Sequence, residues 1–118
     1  MPEIRIIVTI RTPSDEAAAA RLPGLVDHCR QVHANEEGCL QFEAFRSAME
    51  PATLVLLERW ASHELYDRHW RLDMAQRRAE GGRSGGGNVE FYHYQRYELV
   101  DEVWTPSDPE FRSEGVRW

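Results

Sequence analysis

Cysteine is scarce in this chain of 118 residues, and the scarcity removes several classes of protein at once. Its two cysteines, Cys29 and Cys39, are too few for a disulfide framework or a zinc knuckle. Long apolar runs are missing as well: no segment approaches the roughly 20 residues that span a membrane, so no membrane partner is expected. The first residues lack a basic region followed by an apolar core and a small-residue cleavage site. No secretory signal is therefore expected, and the expected location is cytoplasmic. Clustered positive charge is absent too. The net charge is −6, with acids spread along the chain, which argues against nucleic acid as a partner. The one basic run, Arg71 to Arg83, is interrupted by Asp73 and Glu80 and reads as the solvated face of a helix. Nor is there a GxGxxG after a strand, an HExxH or a CxxC, so no cofactor or metal is signalled. Residues 81–88 are glycine-rich but lack the Lys-Ser/Thr ending of a phosphate loop, and read as a flexible linker.

What is present suffices for one domain with a real core. Glu3 to Arg11 is β-branched and alternating, and starts a sheet. Thr12-Pro13-Ser14-Asp15 supplies an N-cap Thr and a Pro at the first helical position, predicting a helix to about Ala34 that Pro23-Gly24 breaks or kinks. Leu22, Leu25, Val26, Cys29, Val32 and His33 form its core stripe. Gly38, closing the exit loop, suits a positive φ. Cys39 to Phe45 alternates as a strand with Leu40, Phe42 and Ala44 on one face. After a turn at Met49 to Ala52, Thr53 to Trp60 is a strand apolar on both faces until Glu58, and so lies inside its sheet. Ser62 caps a second helix carrying Tyr66, His69 and Trp70. Val89 to Val100 is an aromatic strand with Phe91, His93, Gln95 and Tyr97 on one face. The domain thus covers residues 1–100. The tail, 101–118, has no helical or strand regularity, but its large apolar groups imply packing on its own domain or on a partner subunit.

The element order β-α-β-β-α-β is the ferredoxin-like split βαβ topology, an α+β fold with two helices on one face of a four-stranded antiparallel sheet. The other face keeps apolar residues such as Ile7, Val55 and Leu57, and a small sheet with one uncovered apolar face calls for a second copy of itself. A homodimer is therefore expected.

Several side chains in this frame carry chemistry. Glu58 lies near the end of an apolar strand; turned into a cavity, its carboxyl would be raised toward a general-base range, and otherwise it pairs with an Arg or caps the next helix. Trp60 shares its parity and is either a stacking wall for a planar substrate or core. Tyr66 and His69, three apart, share a helix face, with Trp70 near it. Phe42 and Trp70 are further candidates for substrate contact. His93 could line a cavity or sit at a dimer interface. His28 and His33 do not share a face and do not make a metal site, and His63, at a helix start, reads as solvated.

The segment order, with Glu37-Gly38-Cys39-Leu40, then Glu58-Arg59-Trp60, then His69 nine residues after that Trp, resembles the antibiotic biosynthesis monooxygenase family over roughly Glu3 to Leu99. The resemblance implies a dimeric α+β barrel that oxygenates quinols or aromatic polyketides such as anthrones with O₂, without flavin, metal or other prosthetic group. Some anthrone-oxidising members place a Trp at the strand end and a Tyr six residues on, as Trp60 and Tyr66 stand here. That implies that Tyr66 holds a keto or phenolate oxygen and His69 accepts or relays a proton. The first strand has no Asn and the stretch Arg77 to Glu80 no His, so the Asn and the iron-ligating His of haem-degrading relatives are missing and haem degradation is disfavoured. Leu56 stands where the anthrone-type Asn is expected, while Arg77, Arg78 or Arg83 could supply the Arg. The same fold also suits a non-catalytic small-molecule-binding or stress-associated dimer, or an isomerase or cyclase using Glu58 or His69 as base.

Overall fold

The computed structural model describes residues 2–79 and 91–107. The linker 81–88, Arg83 and the tail beyond Ser107 lie outside the described residues, as do the side chains of Arg77, Arg78 and Phe91. Strand β1 (Ile4–Arg11) leads into helix α1 (Asp15–Asn35), then into β2 (Cys39–Arg46) and β3 (Thr53–Trp60). Helix α2 (His63–Ala79), β4 (Phe91–Val100) and β5 (Val103–Pro106) follow. The five strands pair antiparallel in the order β2-β3-β1-β4-β5, the ferredoxin-like arrangement with one strand added at the edge.

That fifth strand corrects the expected four. Asp101 and Glu102 both adopt left-handed φ, 50° and 66°, and join Val100 directly to Val103 in a tight two-residue hairpin. Trp104 then lies beneath the Arg5 guanidinium, 4.8 Å from ring centroid to Cζ, which ties β5 to the sheet's centre.

Alternation along β1 puts Ile4, Ile6, Val8 and Ile10 on the core face, where they are fully buried. The register sets Ile6 between Glu58 of β3 and Arg96 of β4, and Val8 between Leu56 and Tyr94. Helix α1 covers this face with Ala18, Leu25, Cys29 and Val32. His33, expected in the same stripe, is exposed, because one residue beyond Val32 the helix has turned away from the sheet. The helix runs unbroken through Pro23 and Gly24. Its cap is Ser14, whose hydroxyl accepts from Ala17 N at 3.1 Å, rather than Thr12. Thr12 instead turns its hydroxyl to the carbonyl of Ala52, tying the helix entry to the β2–β3 turn.

Strand β2 also departs from simple alternation. Cys39 pairs with Trp60 and Gln41 with Arg59, so Leu40 is the extra residue of a bulge and is 45 % exposed. Cys39 and Phe42 take the core positions.

Candidate functional site

Between the sheet and the two helices lies a cavity of about 320 Å³. Period-two alternation aims Val8, Ile10, Leu56 and Glu58 into its floor, with Phe42 and Tyr94 from the flanking strands. Helix α2 contributes Tyr66, His69, Trp70 and Asp73, whose spacings of three and one and three keep them on one face. Helix α1 contributes Arg21, Gly24, Leu25 and His28.

At the inner end the polar groups converge. Glu58 is only 3 % exposed, and its Oε1 accepts a hydrogen bond from the indole N–H of Trp60 at 3.0 Å. The Trp60 ring stacks on His69, with centroids 4.8 Å apart and planes 28° from parallel. Phe42 meets the same imidazole edge-on at 5.6 Å, and Tyr66 lies 6.1 Å from it. The Nδ1 of His69 bonds to Oε1 of Glu36 at 2.9 Å.

A further polar pair lines the cavity between the two helices. His28 Nε2 on α1 faces Asp73 Oδ1 on α2 at 3.9 Å, spanning the gap between the helices. Its ring also meets Phe42 edge-on at 5.8 Å. Trp70 packs edge-on against Tyr94 at 5.4 Å and closes the apolar middle. At Gly24, no described atom beyond its own stretch of helix stands within 4 Å of where a Cβ would be.

The structure therefore gathers Glu58, Tyr66, His69, Phe42 and Trp70 around one space. Trp60 is fully buried behind that lining, as packing for His69 rather than part of the wall. His93 pairs with Thr9 on β1 and so takes the other face of the sheet, away from the cavity. His63 is half-buried rather than fully solvated, and hydrogen-bonds to the Glu98 carboxylate and the Arg96 guanidinium. Leu56, where an Asn was expected on family grounds, forms apolar floor.

Burial pushes the Cys29 and Cys39 thiols up to about 12, and the nearby Glu58 carboxylate adds to the effect. Both thiols stay protonated and uncharged in the core, so neither is a nucleophile at neutral pH. The arrangement can enclose a planar aromatic among Phe42, Trp70 and Tyr94. It can also present a phenol, an imidazole and a carboxylate to that molecule's oxygens. Among the described residues no group of three or more His, Cys, Asp or Glu is placed to hold a metal ion, and no helix is long and apolar enough to cross a membrane.

The family model for antibiotic biosynthesis monooxygenase matches residues 4–81. Among solved structures, the chain is similar to a candidate antibiotic biosynthesis monooxygenase of Caulobacter crescentus CB15, at 26 % identity and TM-score 0.68, over 85 % of this chain and 92 % of that one. A second such protein, from Deinococcus radiodurans, gives 22 % identity and TM-score 0.66 over 85 % and 95 % of the two chains. Rv0793 of Mycobacterium tuberculosis gives 24 % and 0.63, over 86 % and 98 %. No functionally curated protein matches the sequence.

Proposed function

The chain belongs to the antibiotic biosynthesis monooxygenase family, and from that premise we propose that it is a homodimeric, cofactor-independent monooxygenase that oxidises a quinol or polyketide-like aromatic with O₂. The observation that carries the reading is the aromatic-walled cavity of about 320 Å³ with Tyr66, His69 and Glu58 in its lining. Tyr66 donates to a keto or phenolate oxygen, while His69 takes the proton of the phenol or of the acidic C–H. The resulting anion passes one electron to O₂, and the pair of radicals recombines at carbon as a peroxide. His69 returns its proton to that peroxide, and loss of water, which takes the remaining hydrogen of the same carbon, leaves one oxygen in a new carbonyl and the other in H₂O. The walls exclude solvent while the radical pair recombines, and hold the ring plane fixed. Two free thiols, Cys29 and Cys39, suit the reducing cytoplasm that the reading assumes.

Oxygen-electrode assays over a panel of hydroquinones and anthrones test it, with ¹⁸O₂ labelling of the product. The expected result is uptake matching substrate loss, with one labelled atom in the product. Tight aromatic binding without uptake from any substrate would replace the oxygenase by a binding protein. Conversion that persists without O₂ would point to an isomerase or cyclase.

A further inference from the structure

The nearest polar neighbour of His69 Nδ1 comes from 33 residues away, at the end of the other helix. The imidazole is 7 % exposed and the Glu36 side chain 25 %. A carboxylate can only accept, so the hydrogen of this 2.9 Å contact belongs to Nδ1. A neutral imidazole carries one ring hydrogen, and Nε2 is then left with the lone pair. Trp60 stacked on one face and Phe42 edge-on fix the ring's plane and oppose the flip that would exchange its nitrogens.

Glu36 is itself held in place. Its N–H donates to the Val32 carbonyl at 2.9 Å, capping α1, and its carbonyl accepts from Cys39 N at 3.4 Å. Two residues on, Gly38 adopts φ 84° and presses so closely on Leu65 of α2 that a Cβ there would stand 2.3 Å from Leu65 Cδ1. The Gly38 carbonyl also accepts from Ala61 N at 2.9 Å. The loop bearing the carboxylate is thus docked on the helix bearing the imidazole.

We infer that Glu36 is a positioning residue: it fixes the orientation and Nδ1–H tautomer of His69, and so leaves Nε2 as the nitrogen that receives the substrate's proton. The proton-receiving half rests on the oxygenase reading above; the tautomer half does not.

Two measurements test it. Long-range ¹H–¹⁵N spectra of ligand-free protein, at a pH where the imidazole is neutral, should show His69 protonated at Nδ1. Glu36→Ala should shift it toward Nε2–H or a mixture, and Glu36→Gln, which keeps an oxygen acceptor, should restore Nδ1–H. With a substrate that supports oxygen uptake, Glu36→Ala should lower kcat about tenfold to a hundredfold with little change in KM, and Glu36→Gln should recover most of the loss. An Nε2–H tautomer in the unmodified protein would overturn the inference without any variant. An unchanged tautomer in Glu36→Ala would do the same, and an altered tautomer with unaltered kcat would overturn its catalytic half. If no substrate is turned over by the unmodified protein, the oxygenase reading falls, and the spectra still decide the role of Glu36.

Discussion

His69 is confined on three sides, by Trp60 across its face, Phe42 at its edge and Glu36 at Nδ1. With Tyr66 beside it on the same helix face, removal of either functional group should act on turnover rather than on folding. His69→Ala and Tyr66→Phe are expected to lower kcat by about 10²-fold each, with circular dichroism and mass in solution unchanged. Unchanged rates would remove both from the mechanism. The thiols give a prediction of a different kind. Cys29 and Cys39 hold their protons to about 12 in the folded chain, whereas an unfolded thiol ionises at about 8.5. Between those values the folded state binds protons that the unfolded state has released. Stability should therefore be indifferent to these groups below the window and fall as pH rises through it. Denaturant titrations from pH 7 to 11 check the slope. Thiol titration at pH 8 should find neither cysteine reactive until the protein is unfolded. Of the candidate residues, those on regular elements were legible in the sequence because parity and helical spacing fix direction. Glu36 was not, since only the tertiary approach of an exit loop to a distant helix gives it meaning.

The strands and helices were legible because their patterns are periodic: β3 runs from Thr53 to Trp60 as expected, and α2 starts after its Ser62 cap. The irregular features were not. A bulge at Leu40 rotates the first residues of β2 without changing their composition. The β4–β5 hairpin turns on Asp101-Glu102, which lacks the glycine that usually marks two left-handed residues, so β5 gave no local signal. Gly38 is the exception, its positive φ being readable from the residue type alone. Its packing adds a prediction at this scale, for the junction of the α1–β2 loop with α2. Gly38→Ala should cost about 1–3 kcal/mol in urea unfolding, through both the φ of 84° and the clash with Leu65. A change below about 0.5 kcal/mol would mean that the loop and helix separate freely.

For the molecule as a whole, the sheet face turned away from the helices presents Ile7, Val55 and Leu57 half-exposed, with Phe45 paired beside Val55 and 46 % exposed. Light scattering should give twice the mass of one chain, and Leu57→Arg should shift the population toward monomer. A monomeric unmodified protein would remove the homodimer from the proposal. The cavity on the other face has its own division of labour. Glu58, Tyr66 and His69 reach its lining from β3 and α2, whereas Arg21, Gly24 and His28 reach it from α1. Gly24 is exposed, with no described atom beyond its own stretch of helix within 4 Å of where a Cβ would be, and it stands in a helix where any larger residue but proline is easier to hold. The α1 side of this chamber can therefore be reshaped by single substitutions at one position without displacing Glu58, Tyr66 or His69.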